Sequence, residues 1–413
     1  MPLFKPFKGI RPKDSIVENF ISTSIDNLTD EVLSEKVNKE DTFLNMIKPF
    51  ICSKSKDVDR TLRKVRTNFE TLCEENKLKQ DASSIYLYSQ TLPDKTVYRG
   101  LLGLTAVEDF FNGKIKKHES TLHLRKEKFA HYLDKVKVQS EPVLLTYHSN
   151  SKIELMMNLE EKTVPIYNFT TEDGVKHKVW QIENRLKLKQ FKDVFDQIDS
   201  FYIADGHHRI GSIGLNAKNH LSKNKKTTGH EGYNFIFSYL VSNQSIQIHD
   251  YNRVIKDLNQ LSEEEFLKAL EEFFIVHEKG DETYLPSQKY HISMYLNGKF
   301  YSLHIKHDLR TKVPGLEDLD HYFLEKNVIN NILGIASSKN SDRIDFLKGN
   351  STKDGIENLK KLIDDKVYQV GFAMYPVPYT DLVKVSDLDQ KMPPKCTNIE
   401  PKLLTALVLY DMK

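Results

Sequence analysis

The chain has 413 residues, which is too long for one small domain and fits two or three packed domains. It carries 60 Lys and Arg against 58 Asp and Glu, and this formal net charge of +2 excludes a strongly basic DNA-coating protein and an acidic tail protein, while leaving room for a local basic pocket. Hydrophobic residues make up 39%, with 22 Phe and 19 Tyr, which is enough apolar bulk to exclude a chain that is disordered throughout.

The sequence predicts a cytoplasmic protein without a membrane partner. No apolar run approaches the roughly 18 residues needed to span a bilayer, and the start Met1–Lys8 lacks the apolar stretch of a signal peptide. Cys52, Cys73 and Cys396 are odd in number and widely spaced, so they match neither a disulfide framework nor a zinc motif. We therefore expect reduced thiols.

Helical periodicity dominates the N-terminal part, where apolar residues recur every three or four positions in 44–51 and 62–72. β-Rich runs at 85–88 and 96–104 then predict two strands around a Pro-Asp turn. The elements predicted next are a charged helical stretch before residue 142, a strand at 142–147, a hairpin over 165–180, a helix at 183–198 with Leu186 among its buried residues, and a short buried strand at 201–204.

A helix follows that strand at once, with Ile210, Ile213, Ala217 and Leu221 as its predicted buried stripe. Farther on, strands are predicted near 290–296, 300–306, 344–347 and 368–374, and helices at 319–333 and 353–364. This mixture predicts the α+β class with mixed sheets, divided into domains at 1–260 and 261–413.

The most specific local signal is the sequence Asp-Gly-His-His-Arg, which ends the strand at 201–204 and begins the next helix. Gly206 permits a tight turn, and the first N–H groups of a helix have no partner inside it. His207, His208 and Arg209 add donors on the same turn, which favours a phosphate group as ligand. The alternatives are a purely structural cap, or a metal site at Asp205 with one of the histidines that coexists with phosphate through Mg²⁺.

A second signal surrounds Glu119. His123 follows His118 by five residues instead of the four of a zinc-protease helix, so a metalloprotease is excluded. Glu119 remains a candidate general base or metal holder, oriented by His118 and Thr121. The alternative is an exposed, salt-bridged helix.

The third signal is a proline-rich basic loop at 391–402, where Lys395 or Lys402 could reach an anion; a solvated connection is the alternative. Three motifs are absent from the sequence, the P-loop, the dinucleotide-binding glycine pattern and the hydrolase nucleophile elbow. The absence of these motifs argues against the P-loop, Rossmann, protein-kinase and hydrolase folds.

These pieces together resemble a known family. The segments 6–12, 103–121, 141–143, 202–209, 343–349 and 392–402 resemble, in order, the domain of unknown function 1015 family. The Asp-Gly-His-His-Arg element also resembles that of the ParB/sulfiredoxin-like superfamily, which includes kinases of free L-serine. The resemblance implies a ParB/sulfiredoxin-like nucleotide-binding core elaborated with helices, followed by a C-terminal α/β portion.

The resemblance also implies roles for residues. Gly206, His207, His208 and Arg209 would hold nucleotide phosphates, and Asp205 would lie at the reacting centre or bind Mg²⁺. Glu119 would take the proton from the substrate hydroxyl. Ile210 and Cys396 depart from the family pattern, in which tyrosine and serine are commoner, and about 85 residues separate Glu119 from Asp205.

Three hypotheses follow. The first is a phosphotransferase that uses ATP or ADP with Mg²⁺ to phosphorylate the hydroxyl of a small molecule, with serine or a related amino acid as the best candidate. The second is a nucleotide-binding switch or regulator of the ParB-like class without kinase activity. The third is a turn retained for structure alone. Nucleic acid is not an expected partner, because the sequence shows no basic helix-turn-helix.

Overall fold

The structure, a computed structural model, describes residues 1–25, 28–53, 57–120, 123–224, 226–311, 313–349 and 353–413. Within these residues the chain forms two compact units. The first unit contains residues 1–116, 121–246 and 401–413, and the second contains 117–120 and 247–400. These units differ from the predicted division at residue 260 in three ways: the boundary follows residue 246, residues 117–120 belong to the second unit, and the last 13 residues belong to the first.

The fold mixes helices and strands, as predicted. The helices are α1 (Val17–Phe20), α2 (Asp30–Lys36), α3 (Phe43–Met46), α4 (Lys48–Ile51), α5 (Val58–Glu74), α6 (Val107–Phe111), α7 (His123–Val136), α8 (Ser151–Glu160), α9 (Arg185–Phe195), α10 (His207–Lys223), α11 (Glu263–Leu270), α12 (Asp320–Leu324), α13 (Lys353–Asp364) and α14 (Tyr379–Asp387). A π-helix, Glu325–Ile332, follows α12.

The strands are β1 (Phe4–Lys5), β2 (Phe7–Pro12), β3 (Leu78–Thr91), β4 (Val97–Ala106), β5 (Ile115–Lys116), β6 (Val138–Gln139), β7 (Val143–Tyr147), β8 (Tyr167–Thr170), β9 (Lys176–Ile182), β10 (Phe201–Asp205), β11 (Phe235–Ser242), β12 (Gln247–His249), β13 (Tyr251–Ile255), β14 (Phe274–Gly280), β15 (His291–Leu296), β16 (Lys299–Ile305), β17 (Ile344–Lys348), β18 (Val370–Ala373), β19 (Asn398–Glu400) and β20 (Tyr410–Asp411). Among the described residues, no helix is long and apolar enough to cross a membrane.

In the first unit, a mixed sheet has the strand order β5-β10-β7-β11-β4-β3-β9-β8, with β1 paired to β4 and β2 to β3. β10 runs parallel to β5 and β11 runs parallel to β7, while the other pairs are antiparallel. Every residue of β7 and β11 is buried, which explains their continuous apolar runs. Because β10 is paired with β7 in this sheet, the end of β10 lies beside β7.

The second unit contains an antiparallel sheet with the order β14-β16-β15-β18-β13-β17. Two groups of buried residues form its cores: one includes Leu324, Val328 and Ile329, and the other includes Leu359 and Ile363 of α13. The predicted single helix over 319–333 is α12 followed by the π-helix.

Two predicted buried positions are wrong. Leu186 is 74% exposed and Leu221 is 41% exposed, and each lies near one end of its helix. The rest of the predicted stripe of α10 is buried, with Ile210, Ile213 and Ala217 at most 4% exposed.

A buried ion pair holds β2 to β3 in the first unit. Arg11 Nε lies 2.8 Å from Asp81 Oδ2, and the Asp81 side chain is 1% exposed. Tyr86 donates its hydroxyl to the same oxygen at 3.0 Å. Arg11 also lies 3.3 Å from Asp14, but that carboxylate is 78% exposed.

We expect Asp81→Ala to lower the free energy of unfolding by about 3–5 kcal/mol, because it leaves a buried guanidinium without its carboxylate. Asp14→Ala is the matched control and should cost at most about 1 kcal/mol, as is usual for exposed pairs. Urea unfolding of the two variants measures both changes in the free energy of unfolding. Equal losses in the two variants would contradict the prediction that the buried pair stabilises the fold more than the exposed one.

Candidate functional site

The strand–turn–helix junction predicted from the sequence is present in the first unit. β10 ends at Asp205, Gly206 occupies the N-cap position with φ +98°, and α10 begins at His207. The pairing of β10 with β7 shifts register between Ile203 and Asp205. Such an irregularity turns a side chain away from the regular alternation of the strand, and it lies where the candidate site begins.

Gly206 meets two requirements at this junction. Its positive φ is a conformation that side chains disfavour, and a Cβ built there would lie 3.2 Å from Arg209 Cζ. Within the part of the chain that the structure describes, no side chain caps the N-terminus of α10, whereas α9 is capped by Asn184. The start of α10 therefore presents its helix dipole without a side-chain acceptor at the N-cap.

Arg209 is held by the segment that precedes β7. Its Nη2 lies 3.1 Å from Glu141 Oε1 and 3.4 Å from Asp205 Oδ2, and its Nη1 donates to the carbonyl of Pro142. The Arg209 side chain is 19% exposed. Glu141 and Pro142 lie in a segment that resembles the family, but the sequence predicts no role for them. The structure shows that they fix the direction of the Arg209 guanidinium.

Opposing effects act on Asp205. Desolvation by the surrounding protein raises its pKa, but the charges of Arg209, Lys402 and His207 and a hydrogen bond from the Gly206 N–H lower it, and the net pKa lies below the usual value. The side chain is nevertheless 45% exposed. Asp205 is therefore an ionised carboxylate that solvent can reach.

Lys402 contributes to the same junction from a distant part of the sequence. Its charge acts on Asp205, and its backbone carbonyl accepts a hydrogen bond from Gln90 Nε2 at 3.1 Å. Gln90 is 3% exposed, so this bond anchors the segment on β3. The proposal that a lysine of the basic loop reaches an anion is thus compatible with the position of Lys402.

The two histidines of the turn differ in burial. His207 is 6% exposed, whereas His208 is partly buried. The Ser212 hydroxyl donates to the His208 carbonyl at 2.8 Å, and Asn216 donates to the carbonyl of Ala130 in α7 at 3.2 Å. The bond from Asn216 ties α10 to α7, and the bond from Ser212 lies within α10.

An ionised, accessible carboxylate beside the N-terminus of a helix fits Mg²⁺, which commonly takes one or two carboxylates and completes its coordination with phosphates and water. Asp205 meets that description. The metal role of Asp205 stays a prediction.

The segment that carries Glu119 belongs to the second unit, where it pairs with the basic loop. Met392 N donates to the carbonyl of His118 at 2.8 Å, and Lys391 Nζ donates to the carbonyl of Lys117 at 3.3 Å. His118 is 0% exposed, and Glu119 is half-buried. These residues precede α7 instead of forming its first turn, so the alternative of an exposed helix is wrong for them.

Thr121 and Lys395 are the two remaining residues that the sequence analysis named as candidates for the site. Thr121 lies outside the described residues. Lys395 has φ +53°, and its Nζ lies 5.4 Å from the centre of the Tyr251 ring. An interaction with an anion remains a prediction for Lys395.

Arg253 is an unpredicted residue beside this loop. Its side chain is fully buried, and it donates to the carbonyls of Tyr251 at 2.5 Å and Pro394 at 3.4 Å and to Cys396 Sγ at 3.8 Å. The sequence signal was a charged residue followed by Val254 and Ile255, inside an apolar strand. Arg253 fixes the proline-rich loop to β13.

Cys396, which replaces the serine commoner in the family, is a packed thiol. It is 1% exposed and donates to the Pro393 carbonyl at 3.0 Å. Burial raises its pKa to about 12, with Arg253 opposing and Glu119 adding to the shift. Because the thiolate is the reactive form, this position supplies no nucleophile at neutral pH.

The family model for proteins of unknown function DUF1015 matches residues 4–322, which is more than half of the chain. The chain belongs to the DUF1015 family. The family range includes the complete Asp205–Arg209 turn and the Glu119 segment. No curated protein matches this DUF1015 chain.

Solved structures give weak likenesses. A free serine kinase in complex with ADP is 14% identical, with a TM-score of 0.36 and coverage of 74% of this chain and 92% of that chain. SbnI with a C-terminal truncation, from Staphylococcus aureus, is 13% identical, with a TM-score of 0.38 and coverage of 74% and 87%. A conserved hypothetical protein from Pyrococcus furiosus is 13% identical, with a TM-score of 0.35 and coverage of 72% and 90%.

The burial of Cys396 makes a prediction about thiol chemistry. At pH 8 an alkylating reagent should modify the exposed Cys52 and leave Cys396 unmodified until the chain is unfolded, because both access and thiolate formation are suppressed. Mass spectrometry of labelled peptides measures each site. Cys52→Ser is the control, and rapid native labelling of Cys396 in that variant would contradict the prediction.

Proposed function

We propose that this DUF1015 protein is a nucleotide-dependent phosphotransferase that acts on the hydroxyl of a small molecule, with free serine or a related amino acid as the best candidate. The observation that carries the proposal is the junction of β10 and α10, where Arg209 and Lys402 act on one ionised carboxylate at an N-terminus that no side chain of the described residues caps. This arrangement supports binding of an anion with several oxygens.

The phosphates of ATP or ADP would bind at the first turn of α10. The Gly206 turn lets backbone N–H groups approach the phosphate oxygens, and Arg209 would bind them with a guanidinium already oriented by Glu141 and Pro142. His207 and His208 would supply further donors. A pre-oriented cation costs less side-chain entropy on binding than a free one, which favours affinity.

Asp205 would hold Mg²⁺ at the transferring phosphate. When bound, the metal would neutralise charge on the phosphate oxygens. Since the pKa of Asp205 is lowered, the carboxylate stays ionised through neutral pH and loses its charge only as the pH falls below its ordinary range. Phosphoryl transfer depends mainly on such positioning and charge compensation.

Glu119 remains the candidate base that accepts the proton of the attacking hydroxyl. The support from the chain is its fixed segment, held through the backbone of His118 by Met392, and its partly accessible side chain. A nucleotide-binding switch would use the same phosphate-binding turn but would not need Glu119, so the two residues test different parts of the proposal.

Arg209→Ala should weaken binding of ADP or ATP roughly 10- to 100-fold, because charge-assisted hydrogen bonds contribute about 1.5–3 kcal/mol. Isothermal titration calorimetry with Mg²⁺ measures the change. Arg185→Ala is the matched control, since Arg185 is an exposed arginine in the first turn of α9, where Asn184 caps the helix. Unchanged affinity in Arg209→Ala would overturn the assignment of the turn.

Glu119→Gln should preserve nucleotide affinity and reduce turnover by at least about 100-fold, as expected when a general base is removed. Phosphorus NMR with a panel of hydroxyl amino acids detects the new phosphate ester. Glu127→Gln, at an exposed position of α7, is the control. Full turnover in Glu119→Gln would show that Glu119 is not the general base. Nucleotide binding without turnover in the unmodified protein would favour the nucleotide-binding switch over the phosphotransferase.

A further inference from the structure

A small cavity lies in the second unit, and none of its lining residues has a role in the site described above. Its volume is about 210 Å³. A cavity of roughly 150 Å³ is enough to hold a benzene molecule, whereas pockets for drug-sized ligands begin at roughly 300 Å³. The cavity therefore fits a molecule about as large as one amino acid and is too small for a nucleotide.

One wall of the cavity is a single face of a helix. Tyr322 and Phe323 belong to α12, and Lys326 and Asn327 belong to the π-helix that follows it. All four side chains line the cavity. Because residues four apart in a helix are neighbours on its surface, each ring of this wall lies beside a polar side chain. The wall thus offers both apolar and polar contacts to a ligand.

Glu317 lines the same cavity from the turn Leu316–Asp318. The backbone is fixed on both sides of this residue. Leu316 N donates to Gln390 Oε1 at 2.8 Å, and Asp318 Oδ2 lies 2.7 Å from Lys289 Nζ. The Glu317 side chain is exposed, so a carboxylate with a fixed attachment point remains open to a ligand.

The apolar lining comes from Phe273, Leu309 and Phe323. The ring centres of Phe273 and Phe323 are 6.4 Å apart, with planes at 81°, which is a favourable edge-to-face arrangement. Lys306 N donates to the Phe273 carbonyl at 3.1 Å, so the segment that leads to Leu309 is tied to Phe273. Leu309 is still 40% exposed. An apolar group of a ligand would gain free energy by covering it.

Glu317 and Lys326 carry opposite charges but do not form an ion pair with each other. Neither of them has an ion-pair partner within the part of the chain that the structure describes. A simple anion in the cavity would meet the like charge of Glu317, and a metal cation would meet the like charge of Lys326. A small molecule that carries both charges avoids either repulsion and satisfies both side chains.

We propose that this cavity binds a free zwitterionic α-amino acid with an apolar side chain, about the size of leucine. The ammonium group of the ligand binds Glu317, and its carboxylate binds Lys326, through charge-assisted hydrogen bonds. The side chain of the ligand covers Phe273, Leu309 and Phe323. The proposal does not depend on the phosphotransferase activity, because the cavity uses neither the Asp205–Arg209 turn nor Glu119.

The site is tested by calorimetric titration of the full-length protein with L-leucine, in the absence of nucleotide. We expect one molecule per chain. Leucinamide lacks the carboxylate and 4-methylpentanoate lacks the ammonium group, so each should bind at least about tenfold more weakly. Glycine keeps both charges without the apolar side chain and should also lose at least about tenfold. Absence of leucine binding, or equal affinity for any of these three compounds, overturns the proposal.

Two variants assign the charges to the ends of the ligand. Lys326→Met should lower leucine affinity at least about tenfold and leave leucinamide affinity unchanged, because the amide carries no charge for Lys326 to bind. Glu317→Gln should lower leucine affinity by a similar factor and should not lower the affinity for 4-methylpentanoate, which has no ammonium group. Both residues are exposed, so their replacement does not endanger the fold.

Matched controls lie on α11 of the same unit. Lys268→Met and Glu264→Gln remove the same charges from exposed positions that do not line the cavity, and both should leave leucine affinity unchanged. Leucine binding that survives in Lys326→Met and Glu317→Gln, or that falls equally in the two control variants, contradicts the assignment of this cavity.

Discussion

The candidate site of the first unit depends on the ion pairs of one guanidinium. Arg209 binds Glu141 and the Pro142 carbonyl, which precede β7, and Asp205, which ends β10. These contacts join the ends of two neighbouring strands to the first turn of α10. A guanidinium held at partial burial by two carboxylates keeps its direction, so that it is a cation already in place at the start of α10.

The local part of this site was predictable from the sequence because its causes are local. An apolar run that ends in Asp-Gly, followed directly by helical periodicity, requires a turn at Gly206 and puts His207 and Arg209 on the first turn of a helix. The boundaries agree closely, with the strand at Phe201–Asp205 and the helix from His207. The predicted buried stripe of the helix is wrong only at Leu221, which lies in the last turn of α10.

The partners of the turn were not predictable because they come from far along the chain. Nothing in the sequence around Asp205 indicates that Lys402 acts on it, or that Gln90 anchors Lys402 through a backbone carbonyl. In the second unit, the link from Met392 to His118 joins positions separated by more than half of the chain. The position of Arg253, a charged residue followed by apolar ones, is visible in the sequence. Its contact with Cys396 can be recognised only in the folded structure. Pairings of this kind are set by sheet topology, which local periodicity does not specify.

The return of residues 401–413 to the first unit has a consequence for biosynthesis. β20 pairs with β6, and Lys402 acts on Asp205, only after the ribosome has made every residue of the second unit. Until then the separate two-stranded sheet of β6 and β20 cannot form, and the charge of Lys402 is missing from the turn. During that whole interval of synthesis, the start of α10 lacks one of the cations that act on Asp205.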